Sequence, residues 1–183
     1  MSDFLHILLC VIGLLYFTPR EKTTEPFYDI TDPAFIDECV KEHNRHRANM
    51  KPPASNSRYM TWDEGLARIV QAWASNCVNN HNPHLQQPGR MHPIFTLLGE
   101  NISVRTPYRK LKVQSAIQLW VDEDQYYNYN SNACSKVCGH FTQVFWAGTY
   151  KVGCAEPACQ NGVVETQFST VSGIIFVCYY ATV

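Results

Sequence analysis

Cys138-Gly139-His140-Phe141-Thr142-Gln143-Val144-Phe145-Trp146 is the stretch on which the reading of this chain turns. It sets one histidine between a cysteine-glycine turn and an aromatic-rich apolar run, so the imidazole is held at the edge of a core. Such a ring is either a packed polar residue satisfied by a backbone carbonyl or a working group. The choice depends on whether other inward-pointing polar residues accompany it.

Three candidates emerge from periodicity. Thr61-Trp62-Asp63-Glu64 has capping-box spacing and predicts a helix starting at Thr61. Its apolar stripe runs Trp62, Leu66, Ile69, Val70, Trp73, Cys77, and one further i, i+4 step lands on His81. Residues 79–96 hold three prolines and three histidines and read as a long loop of functional kind. The stretch Leu97–Val104 alternates as a strand, with Leu98, Glu100, Ile102 and Val104 on one face, which puts a carboxylate among apolar side chains. A helix over about Val113–Tyr126 carries Val113, Ile117 and Trp120, then Glu123 one i+3 step on. His81, Glu100, Glu123 and His140 each point inward. Converging, they suit a divalent metal or acid–base chemistry; apart, they are four separately satisfied polar groups.

The rest of the sequence bounds the setting. At 183 residues, 45% hydrophobic and 17% charged, the chain has the size and composition of one globular domain. A formal net charge of -1 and the absence of a basic block give no electrostatic reason to expect nucleic acid. Phe4–Phe17 is apolar and of the length of a secretory h-region, shorter than a membrane span. Residues 1–22 are therefore read as a signal peptide, with an uncleaved signal anchor as the alternative and the only route to membrane association. Residues 23–31 read as a linker and 32–183 as the domain.

Seven of the eight cysteines follow the signal segment, and in an exported chain they are expected in disulfides. Seven is odd, so one thiol stays free or finds a partner outside the chain. Asn101-Ile102-Ser103 is a glycosylation sequon. Thr31-Asp32-Pro33 opens a helix whose buried face is Phe35, Ile36, Cys39, Val40 and His43, with His43 and Arg47 as polar anchors. Tyr150–Ala155 and Gly173–Tyr180 read as two further strands. Three helices and three strands without βαβ rhythm argue α+β with an antiparallel sheet.

These motifs taken together resemble the CAP superfamily, named for cysteine-rich secretory proteins, antigen five and pathogenesis-related proteins, and within it the glioma pathogenesis-related subgroup. The resemblance rests on His43-Asn44 with Arg47, Tyr59-Met60-Thr61-Trp62-Asp63, Cys77 with His81-Asn82, and Gly99-Glu100-Asn101-Ile102. Trp120 with Glu123, Cys138–Val144 with Trp146, and Val152-Gly153-Cys154 complete it. It implies an αβα sandwich, a three-stranded antiparallel sheet between helical layers, with a cleft floored by His81, His140, Glu100 and Glu123. It implies an exchangeable Zn2+ on His81 and His140. It further implies disulfides Cys77–Cys159, Cys154–Cys178 and Cys134–Cys138, with Cys39 unassigned.

By the same likeness the protein is a secreted, extracellular binding or interaction module acting in reproduction or innate defence. Its partner would be an extracellular protein or a lipid or sterol. The alternative is a metal-dependent or acid–base hydrolase with Glu100 or Glu123 as base, although no Gly-x-Ser-x-Gly or His-Glu-x-x-His motif supports it. Ser103 stands where relatives usually carry Trp. The ending Tyr179-Tyr180-Ala181-Thr182-Val183 departs from the family pattern, so a C-terminally truncated domain with a poorly finished last strand is expected.

Overall fold

The computed structural model describes residues 28–107 and 112–182. The signal segment and linker residues 23–27 lie outside them. The rest of the expected linker is already part of the domain: Tyr28 stacks on Phe35 at 4.7 Å between ring centroids, and Ile30 is buried. Two apolar side chains in a short arm have more to gain from the core than from water.

Helix α1 (Pro33–Ala48) begins where Asp32 accepts the Ala34 N–H at 2.9 Å and Pro33 fills the first turn. Thr61–Trp62 form not a helical turn but the short strand β1, parallel to Lys151–Val152. Helix α2 (Glu64–Ala74) therefore starts later than the capping-box spacing predicts, capped by Asp63, whose Oδ1 accepts from Leu66 N at 2.9 Å. Glu64 turns outward to pair with Arg68. The helix ends at Ala74, and Cys77 has a φ of 55°, so its stripe is Leu66, Ala67, Val70 and Ala74 and does not carry on to His81.

Strand β2 (Leu98–Arg105) follows the long loop. Helix α3 (Val113–Val121) gives way to a 3-10 turn over Asp122–Tyr126, which shortens the expected third helix. A small hairpin, β3 (Tyr127–Asn128) with β4 (Ala133–Cys134), leads into α4 (Gly139–Phe145). This fourth helix is hidden from periodicity because it is only two turns long. Strands β5 (Thr149–Ala155), β6 (Ala158–Cys159) and β7 (Gly173–Thr182) complete the order.

The sheet runs β1-β5-β7-β2, with β6 also pairing β7, so it has five strands where three were expected. The additional two are two-residue strands with no period to read. β7 is antiparallel to β2 and β5 on its two sides, and Gly173–Ala181 are all buried. The last strand is thus the best supported of the sheet, contrary to the expected poor finish. Its alternation builds both layers. Ile175, Val177, Tyr179 and Ala181 meet Leu66, Ala67 and Val70 of α2. Ile174, Phe176, Cys178 and Tyr180 meet Phe35 of α1, Ile117 and Trp120 of α3 and Val144 of α4. The result is an α+β fold, an αβα sandwich. At Gly153 a Cβ would run into the backbone of Leu66 and Ala67, so glycine lets α2 lie directly on β5.

Candidate functional site

The sandwich brings the four predicted polar residues into two His–Glu pairs, one on each face of the outer strand β2. On the α2 side, His81 Nδ1 meets Glu100 Oε1 at 2.6 Å, and the same oxygen accepts the Asn82 N–H at 3.2 Å. His81 is held there by the Asn80–Asn82 turn, where Asn80 Oδ1 accepts the His81 N–H at 2.8 Å. Asn82 Nδ2 in turn donates to the Tyr179 hydroxyl at 3.0 Å. The Glu100 side chain is 0% exposed and the His81 side chain 66%. Burial pushes the Glu100 carboxyl above its ordinary range, opposed by the hydrogen bonds from His81 and Asn82.

On the other face, His140 Nδ1 meets Glu123 Oε1 at 2.6 Å. Glu123 Oε2 accepts the backbone N–H groups of His140 and Phe141 at 3.0 and 3.2 Å. One carboxylate therefore both orients the ring and satisfies the first donors of α4, where a negative charge also suits the helix dipole. The ring stacks on Trp120 with 15° between planes, and Trp120 stacks on Phe176. Asn101 Nδ2 donates to the His140 carbonyl at 3.1 Å and lies 3.3 Å from the Tyr180 hydroxyl.

Asn101 is 1% exposed. In the folded chain the sequon is buried: on β2 the face opposite Glu100 is also covered, by α3 and α4. The reading of Asn101 as a sequon hid its role as a tie between β2 and His140.

Ionised carboxylates only accept, so in each neutral ring Nδ1 carries the proton and Nε2 keeps its lone pair. Neither Nε2 has a hydrogen-bond partner among the described residues. No cluster of three or more His, Cys, Asp or Glu side chains placed to hold a metal exists among those residues. Glu123 engages both of its oxygens in orienting the ring and α4, whereas Glu100 engages Oε1.

Sequence reasoning read His43 as a polar anchor of the first helix but not its link, through Tyr180, to the pairs. His43 is fully buried; its Nδ1 donates to the Cys39 carbonyl at 2.7 Å and its Nε2 accepts from the Tyr180 hydroxyl at 2.8 Å. Desolvation lowers its pKa to about 4. Tyr179 and Tyr180 were visible only as strand residues. The three disulfides have the implied pairing, Cys77–Cys159, Cys134–Cys138 and Cys154–Cys178, and Cys39 is free and buried.

Comparison with known proteins agrees with this architecture. The family model described as "Cysteine-rich secretory protein family" matches residues 40–180. GLIPR1-like protein 1 of Bos taurus is 39% identical over 173 residues, covering 94% of this chain and 68% of the relative. Glioma pathogenesis-related protein 1 of Mus musculus is 46% identical over 140 residues, covering 76% and 54%. This chain thus spans 54% to 68% of the length of these relatives. Among solved structures, venom allergen-like protein 4 of Schistosoma mansoni superposes with a TM-score of 0.58 at 23% identity, covering 81% of this chain and 84% of that one. NaASP2, solved with Zn2+, gives 0.59 at 21% identity, covering 86% and 82%. These two likenesses concern the fold alone. With the family pattern running from the middle of α1 to the end of β7, and with relatives at this identity, the chain belongs to the cysteine-rich secretory protein family.

Proposed function

We propose that this protein is an extracellular binding module, and that the edge of β2 between its two His–Glu pairs is the floor of a ligand cleft with a zinc-competent histidine pair. The observation that carries the reading is the shared arrangement of the rings: each Nδ1 is tied to a glutamate at 2.6 Å, so each Nε2 is fixed as a free lone pair. His81 and His140 would hold the ion, and Glu100 and Glu123 would set their tautomer. A bound zinc would supply an open coordination position for a ligand.

Two protein ligands make an exchangeable site, unlike a four-ligand structural centre required for folding. Three disulfides support an oxidising, secreted location. Binding is favoured over hydrolysis because Glu100 is sealed from solvent and Glu123 is occupied by α4. Calorimetric titration of Zn2+ into the wild type and the His81→Ala, His140→Ala double variant tests the reading. Binding by the wild type alone is expected. Equal binding by both proteins, or none by the wild type, leaves a buried polar network without a metal role.

A further inference from the structure

Among the described residues, the outer edge of β2 is covered at Leu98 and at the Ile102 carbonyl, and the main chain of Glu100 lies between these two points. The Leu98 N–H donates to the Leu85 carbonyl at 3.2 Å, and Leu98 O accepts from Gln86 Nε2 at 3.0 Å. Ile102 O accepts from Trp120 Nε1 at 3.2 Å. In an antiparallel ladder, alternate residues direct their N–H and C=O to opposite edges. Leu98, Glu100, Ile102 and Val104 therefore turn these groups away from β7, which pairs the strand on its other side.

The same alternation continues across the sheet: Val152 O on β5 accepts the Asp63 N–H and thus faces β1. Loop residues cover Leu98 and the Trp120 indole covers the Ile102 carbonyl. Between them, the Glu100 N–H and C=O have no partner among the described residues. Solvent reaches Glu100 at this point: the residue as a whole is 7% exposed while its side chain is 0% exposed, so the accessible surface is main chain.

We infer that the main chain of Glu100 is a docking point for an extended polypeptide, one residue of which forms a two-hydrogen-bond bridge there. This rests on the cleft being a ligand site but does not depend on a metal. The chemistry selects the occupant. One donor and one acceptor, on the same residue of an outer strand, match the acceptor and donor of one extended peptide residue. A sterol or acyl chain has no such pair.

The window between Leu98 and Ile102 is about 13 Å long at the usual rise of a strand. It admits a short segment and blocks a full added strand at Gln86 and Trp120. Successive side chains of the bound segment would point to opposite faces of β2, one toward His81 and the next toward His140.

The test uses the disulfide-intact protein in EDTA. Hexapeptides are selected from a random displayed library and synthesised, and amide hydrogen exchange at Glu100 is followed by NMR with and without each one. Each peptide is also N-methylated one position at a time. The expected result is an exchange rate at Glu100 slowed about tenfold or more. A single N-methyl position should weaken binding by about tenfold, the scale of one lost hydrogen bond. The inference is overturned if no hexapeptide binds more tightly than about 1 mM. It is equally overturned if peptides bind while Glu100 exchange is unchanged, or if every N-methyl position is tolerated. Protection of Glu100 by phosphatidylcholine–cholesterol vesicles and not by peptides also overturns it. Because metal is absent throughout, failed zinc titration with retained peptide protection removes only the metal reading, and the converse removes only this one.

Discussion

Tyr179 and Tyr180 are adjacent in β7, and their hydroxyls support the two His–Glu pairs from opposite faces of the sheet. Tyr179 accepts from Asn82, beside His81 and Glu100, while Tyr180 bonds His43 and lies next to Asn101, which holds the His140 carbonyl. Strand alternation makes the two supports independent. The Tyr179→Phe change should cost about 1 kcal/mol of stability. Tyr180→Phe should cost more, about 2 to 3 kcal/mol, because it leaves His43 Nε2 buried without a donor. Urea denaturation of the two variants measures the difference; equal costs would mean that the His43 contact contributes nothing.

Stability should fall between about pH 6.5 and pH 4 through His43. The unfolded chain takes up a proton there near the ordinary imidazole value, whereas the folded ring, with its pKa lowered to about 4, refuses it. The loss approaches about 3 kcal/mol at the acid end and vanishes above the unfolded value. Glu100 works in the opposite sense, since its raised carboxyl binds protons more readily folded than unfolded. Comparison of wild type with His43→Gln isolates the histidine. Thermal melts across this range should show a shallower acid loss in the variant, and parallel curves would contradict the assignment.

Arg47 is the next test. Buried at the end of α1, it donates to the carbonyls of Val144, Trp146, Ala147, Thr149 and Arg58 at 2.7 to 3.4 Å. Desolvation lowers its pKa to about 10, well clear of neutrality. Five carbonyls from two segments take the place of a carboxylate partner, and only a planar fork reaches them all. Arg47→Lys should therefore destabilise by about 2 kcal/mol or more despite keeping the charge. A melting temperature unchanged by Arg47→Lys would show that charge alone suffices.

Cysteine accessibility gives the fourth prediction. Native alkylation without reduction should leave the chain unmodified among the seven cysteines beyond the signal segment, since six are paired and Cys39 is buried with its thiol pushed up by desolvation. Unfolding in denaturant without reductant should add one label at Cys39. Intact mass measures the number, and more than one label would break the assigned pairing. Removing Cys77–Cys159, which closes 82 residues, should cost about 2 to 5 kcal/mol.

The sequence carried the layers well, because the strands over 98–105 and 173–182 and the face of α1 are long enough to show a period. It was less informative where elements are short: β1, β6 and the two turns of α4 have no period to read. His81 was reached by extending a helical line that in fact stops at Ala74; the turn after α2, and not the helix, brings the ring against Glu100. Glu123 lies in a 3-10 turn, yet an i+3 step from Trp120 still reached it, because three residues per turn is the period of that helix. The sequon at Asn101 was legible but its burial was not, because α3 and α4 cover it from distant sequence.

The position of β7 in the sheet has a consequence for biosynthesis. It is made after β1, β2 and β5, yet it lies between β5 and β2, which do not pair with each other. Until residues 173–182 have left the ribosome, β2 and β5 have only each other's absence between them, and the tyrosines that support both histidines do not yet exist. The nascent chain must therefore keep two apolar strands without their central partner through most of its synthesis, and of the three disulfides only Cys154–Cys178 has to wait for β7.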